Sequence, residues 1–472
     1  MSQHVTAAKD KVPFIEKLMY GAGSGSFQMA NDGVKGLAYP IFNITLGLDP
    51  SKIGLVLMIS RIVDAFTDPI MGKISDDTDT RWGRRRPYIF LGTFLVAIAF
   101  VSIWMVPESW SDTAIFVWYM CAMLIFYLCA TIQTVPYHTL GLEMTPDYHE
   151  RTSVSSFKMF FSFVFAFCIP WIFPLAQASV FGGTLHGMRF ISWYVAIAII
   201  IGGLLPAIFV KERYFHIAKK SKKFPFWQSI KLTFQNRPFL ILTAILLTTG
   251  IGGNMVGAMG PYIIYYYIFG GDVETGSYLW AKASNAFTVG AILSLFLINW
   301  MGKSWGKLFT MRCMVVLGFV GAVSKFWLFN KDYPNLLFVS QLMMAPLAAG
   351  FWTITTSMKA DICDDDELRN GSRREGMFGS VGGWITKVTM ASTFFLAGMM
   401  LEVTGFDIDL GGDQDPDTIF MMRVLFATIP AISNVIAFVM LWYYPLNEKR
   451  MREIRAQLEA RRGEADDTEH AV

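Results

Sequence analysis

Apolar runs, each near the 20 residues that a helix needs to cross a hydrocarbon core, follow one another from residue 14 to residue 445. Backbone in lipid must satisfy its own polar groups, so such runs are helices and a chain built from them is an all-α membrane protein. Twelve spans are expected: 14–46, 51–75, 87–106, 113–142, 153–177, 189–211, 237–268, 274–301, 306–329, 334–362, 376–402 and 418–445. Only 16% of the residues are charged, against roughly a quarter in soluble domains. The net charge of +3 is too small for a nucleic-acid binder. None of the five cysteines forms a CxxC pair and four lie in apolar runs, which predicts free thiols buried among helices. The stretch Met1–Lys11 lacks a short apolar core with a small-residue cleavage site, so no cleavable signal peptide is expected and the first span serves for insertion.

The loops alternate in sign. Arg81, Arg84, Arg85 and Arg86 follow span 2, Arg151 and Lys158 follow span 4, and Lys211, Arg213, Lys219, Lys220, Lys222 and Lys223 follow span 6. Lys303 and Lys307 follow span 8, Arg369, Arg373 and Arg374 follow span 10, and Lys449 and Arg450 begin the tail. The opposite loops are poor in Lys and Arg, and the last of them carries Asp407, Asp409, Asp413, Asp415 and Asp417. The excess of cations on one side predicts an inner-membrane protein with both termini cytoplasmic.

The chain also repeats itself half a length apart. Trp82-Gly83-Arg84 returns as Trp305-Gly306-Lys307, and the Glu143, Asp147, Glu150, Arg151 cluster returns as Asp361, Asp365, Glu367, Arg369. Two parallel six-helix halves are the layout of a major-facilitator transporter, with substrate held between them. The expected division is 1–211 for the first half, 212–236 for a basic central loop, 237–445 for the second half and 446–472 for a charged tail that starts as a short surface helix and ends disordered. Arg84, Glu143, Arg151, Asp361 and Arg369 are expected to pair across the inner mouth as a gate.

One stretch inside span 2, Ser60-Arg61-Ile62-Val63-Asp64-Ala65-Phe66-Thr67-Asp68-Pro69, concentrates charge at membrane depth. Arg61, Asp64 and Asp68 are spaced i, i+3, i+7, so all three share one helix face. Charges there cost several kcal/mol unless paired or hydrated, and mark ion or substrate pathways. Two carboxylates one turn apart supply oxygens to a small hard cation or share a proton. Span 1, with its run Gly21 to Ser26 followed by Gln28, Asn31, Asp32 and Lys35, is too polar to face lipid. Gln28 and Arg61 are candidate substrate contacts. Gly302-Lys303-Ser304 has Leu297 where a phosphate-binding loop needs glycine, and no strand precedes it, so ATP hydrolysis is not expected. Nothing in the pattern points to an enzyme or an organic cofactor.

The segment Arg61 to Gly72, followed by Arg81-Trp82-Gly83, resembles the glycoside-pentoside-hexuronide:cation symporter family. The resemblance implies sugar uptake coupled to sodium, lithium or protons. It places the family's two cation-binding carboxylates, which would hold Na+ in a sodium-coupled member, on Asp64 and Asp68. It places a cation-site threonine on Thr131 and a lysine of span 11 on Lys387, which as a lone intramembrane cation is the expected partner of the two anions. The sugar site departs from the galactoside-binding pattern. Its two aspartates fall on Ser26 and Thr134, a tryptophan on His138 and an arginine on Lys158, while an aromatic of span 10 is retained as Trp352. Fewer carboxylates beside a retained cation favour an acidic sugar, such as a uronic acid or glycosiduronate, over a neutral galactoside. A symporter for neutral oligosaccharides or glycosides and a non-transporting sensor are the alternatives. The partners expected are the sugar and the lipid bilayer, and nothing requires more than a monomer.

Overall fold

The computed structural model describes residues 11–145, 147–212, 232–370 and 375–469. Arg213, Lys219, Lys220, Lys222, Lys223, Arg373 and Arg374 lie outside the described residues.

Each expected span is a helix. They are α1 (Phe14–Ala38), α2 (Pro50–Asp77), α3 (Arg86–Ile103), α4 (Asp112–Glu143), α5 (Tyr148–Cys168) and α6 (Thr184–Phe209), then α7 (Arg237–Met255), α8 (Val273–Ser304), α9 (Lys307–Leu328), α10 (Leu337–Asn370), α11 (Glu375–Val403) and α12 (Pro416–Trp442). A last helix, α13 (Glu448–Glu469), replaces the disordered end expected for the tail. Met451, Ile454 and Leu458, spaced i, i+3, i+7, give it an apolar stripe that is buried against α10.

Local chemistry sets the helix ends. Ser111, Asp147 and Asn236 accept backbone N–H bonds at the starts of α4, α5 and α7. Helix α1 runs on as a π-helical segment, Tyr39–Thr45, that includes Pro40. Proline lacks an N–H, so the regular ladder breaks there and widens.

Ten helices among the described residues are long and apolar enough to cross a membrane. The expected spans outside that set are α1 and α2, which carry Asp32 with Lys35 and Arg61 with Asp64 and Asp68. The helices least suited to lipid are thus those that carry the candidate site.

By packing, the chain divides into two units. The first holds 1–222 with 264–285 and 394–414, and the second holds 223–263, 286–393 and 415–472. In the first, α1 packs on α5 and α6, α3 on α4 and α6, and α2 on α4. In the second, α7 packs on α12, and α9 packs on α10 and α12. Shifting the first set by six helices reproduces the α1–α6, α3–α4 and α3–α6 pairs, so the repeat read in the sequence is also a repeat of packing. Close approach uses glycine: a Cβ on Gly92 of α3 would stand 2.7 Å from the backbone nitrogen of Gln133 on α4.

The repeated loop signatures build matching clasps. Gly83 takes φ +105°, a conformation that favours glycine. The Glu212 carboxylate then accepts the backbone N–H groups of Arg84 and Arg85, both at 2.8 Å, and of Arg86 at 3.2 Å. Gly306, at φ +83°, has the Glu448 carboxylate 3.0 Å from where its Cβ would stand. Arg84 then pairs with Glu143 at 2.9 Å, and Lys307 with Asp361 at 2.6 Å.

The free thiols differ from expectation in place. Only Cys363 is buried; Cys129 and Cys313 are half-buried, and Cys121 and Cys168 are exposed.

Candidate functional site

Thr131 of α4 joins the two carboxylates of α2. Its hydroxyl lies 3.2 Å from Asp64 Oδ1, 3.3 Å from Asp68 Oδ1 and 3.2 Å from Thr67 Oγ1. The one-turn spacing of Asp64 and Asp68 puts their oxygens on one side of α2, and the α2–α4 contact delivers the hydroxyl. Asp64 is buried and Asp68 half-buried. Two carboxylates and two hydroxyls form an all-oxygen set, which suits a hard cation such as Na+ or a shared proton. Thr67, inside the charged stretch, is the member that sequence reasoning missed, and its position between the two aspartates was the available signal.

Arg61 joins the cluster from the same helix. Its guanidinium donates to Asp64 Oδ2 at 3.0 Å and lies over the Tyr127 ring, 5.3 Å from the centroid. Lys387 sits half-buried on α11 in the second unit.

A second polar group gathers on α1, α4 and α5. Lys158 Nζ lies 3.2 Å from His138 Nδ1, and the edge of Phe27 meets the His138 ring. Ser24 donates to the Lys158 backbone carbonyl at 2.7 Å, which pins α5 to α1. On α1, Gln28 and Lys35 both bond the Asp32 carboxylate, the lysine at 3.0 Å.

Two expected sugar contacts are buried between helices in this structure. Ser26 is fully buried and donates to the Ile199 carbonyl at 2.8 Å, in the α1–α6 seam. Residues two apart on a helix point to nearly opposite sides, so Ser26 and Gln28 cannot both face one cavity. Thr134 is 8% exposed and lines a packing crevice with Gly23, Phe27 and Tyr137. Trp352 keeps its ring 56% exposed on α10.

The residues expected as a gate across the mouth make their described bonds within a unit. Arg84 and Arg85 both reach Glu143, and Arg151 Nε donates to the Thr145 carbonyl at 2.9 Å. Arg369 pairs with Asp365 on its own helix, and Lys307 pairs with Asp361. Beyond the end of α12, burial and the nearby Asp361 and Asp365 carboxylates push the Tyr444 hydroxyl well above its ordinary pKa.

The family model for MFS/sugar transport proteins matches residues 19–448. The chain belongs to the glycoside-pentoside-hexuronide:cation symporter family of the major facilitator superfamily. This symporter is 25% identical to the glucuronide carrier protein homolog of Escherichia coli (strain K12), over 88% of this chain and 89% of that one. It is 23% identical to the sodium-dependent lysophosphatidylcholine symporter 1 of Mus musculus, over 97% of this chain and 90% of that one. The crystal structure of a D-xylose-proton symporter has the same fold, with a TM-score of 0.59 at 13% identity over 90% of this chain and 95% of that one. The symporter is a transporter and not an enzyme, a multi-pass inner-membrane protein whose family moves small sugars with a coupling cation.

Proposed function

We infer that this symporter imports an acidic sugar, a uronic acid or glycosiduronate, with Na+ or H+ by alternating access. The observation that carries the reading is the pair of polar groups in the first unit. Asp64, Asp68, Thr131 and Thr67 supply the oxygens for the coupling ion. Gln28, Arg61, His138 and Lys158 supply the donors and cations for the substrate, with Trp352 as the ring on which the apolar face of a sugar stacks. Lys387 takes part in the cation site from span 11. With the ion site empty, Arg61 holds Asp64. An arriving cation competes for that carboxylate, which loosens Arg61 and favours an anionic substrate beside it. The clasps at Glu143 and Asp361 keep each half together while the halves rock, and the basic loops face the cytoplasm with both termini. The similarity to a glucuronide carrier homolog agrees in substrate class, and the sodium-dependent relative makes Na+ the first ion to try.

Thermal unfolding of the purified protein, with matched neutral glycosides and glycosiduronates, with and without sodium and at several pH values, tests the reading. A ligand that binds only the folded state raises the melting temperature. Stabilisation by the uronate that grows with sodium is the expected outcome. Stabilisation by neutral glycosides alone would favour the neutral-sugar reading.

A further inference from the structure

Gln28, Asp32 and Lys35 lie at i, i+4 and i+7 on α1 and share one face of that helix. Lys35 has three N–H donors and uses one of them on Asp32, at 3.0 Å, with its side chain only 19% exposed. The Gln28 amide donates to the other oxygen of the same carboxylate, so Asp32 is held from both sides. A buried ammonium with unused donors is costly unless an acceptor reaches it. Snorkelling to an interface does not explain it. The helical path continues from Lys35 to Thr45, about 15 Å further at the rise of a helix, which leaves Lys35 well inside the span.

We propose that Lys35 recognises the anionic group of the substrate, with Asp32 and Gln28 as positioning residues that aim its ammonium. This rests on the acidic-sugar reading above and names the group that carries it. Its chemistry ties selectivity to coupling. While no coupling ion is bound, the charge of Asp64 and Asp68 draws on the same positive field that an incoming carboxylate needs. A bound coupling ion neutralises them and leaves Lys35 to the ligand. The Asp32 bond stops the lysine from turning wholly to the ion site.

The test is equilibrium binding of a methyl glucosiduronate and the matched methyl glucoside to the full-length protein, over a range of sodium concentrations. The proteins compared are the unaltered protein, Lys35→Gln, Lys35→Arg and Asp32→Asn. Loss of one charge-assisted bond predicts that Lys35→Gln weakens the uronate by about tenfold or more and flattens its sodium dependence. The glucoside should change little. Lys35→Arg restores the preference for the acid, and Asp32→Asn preserves or tightens uronate binding. A purely packing role for Lys35 would weaken both ligands alike, and that result overturns the proposal. If the unaltered protein prefers the acid and Lys35→Gln still does so with the same sodium dependence, the acidic-sugar reading stands and Lys35 is not its anion site. If the unaltered protein shows no preference for the acid, the reading falls and the assignment of Lys35 falls with it.

Discussion

At the scale of single residues, one hydroxyl ties the proposed ion site together. Thr131 is the atom that touches both Asp64 and Asp68, from a different helix. Thr131→Val removes that oxygen and keeps the volume, so the affinity for the coupling cation, measured by titration calorimetry without sugar, should fall about tenfold, the worth of one bond to a charged group. Asp68→Asn removes a charge as well, and should abolish cation-dependent uptake while the protein still reaches the membrane. Normal coupled transport by the Asp68→Asn variant would sink the assignment. The two aspartates were legible because their relation is local: a spacing of four on a helix fixes a shared face whatever packs against it. The positions assigned to Ser26 and Thr134 were not, because which side of α1 or α4 meets a neighbour depends on how each helix is rotated against α5 and α6. Lys35 and Asp32 were visible as intramembrane charges whose i, i+3 spacing puts them within reach of each other, but that spacing did not tell whether they face a cavity or a neighbouring helix.

At the scale of elements, α3 starts on a borrowed carboxylate. The first backbone N–H groups of a helix have no internal partner, and at α3 Glu212 meets them from beyond the end of α6. Glu212→Gln keeps the shape but loses the charge that faces the positive end of the helix. It should destabilise the first unit by about 1–2 kcal/mol, read as a lower melting temperature with sodium binding intact. An unchanged melting temperature would mean that water caps α3 as well as the carboxylate does. The Trp-Gly-Arg and Trp-Gly-Lys signatures were legible as repeats, and so was the turn. Their carboxylate partners were not, because Glu212 and Glu448 are remote from those turns in sequence and only the return of α6 and α12 brings them there.

At the scale of the whole molecule, the two halves use the same construction twice. Arg84 with Glu143 and Lys307 with Asp361 occupy equivalent places in the two repeats. Double-mutant cycles to alanine within each pair should both return an interaction energy, of about 0.5–3 kcal/mol for groups in contact. A null result for one pair would show that the repeat of packing is not a repeat of energetics. The order of residues was enough to read an all-helical membrane protein with a duplicated plan and two carboxylates at membrane depth. Those are consequences of hydrophobic run length, of recurrence along the chain and of helical periodicity, all of which are local or one-dimensional. The packing of helices against one another is what brings Thr131 to both carboxylates and puts Ser26 in a helix seam. The physical reason is rotation. A sequence says which residues share a helix face, but the packing of neighbouring helices decides where that face points.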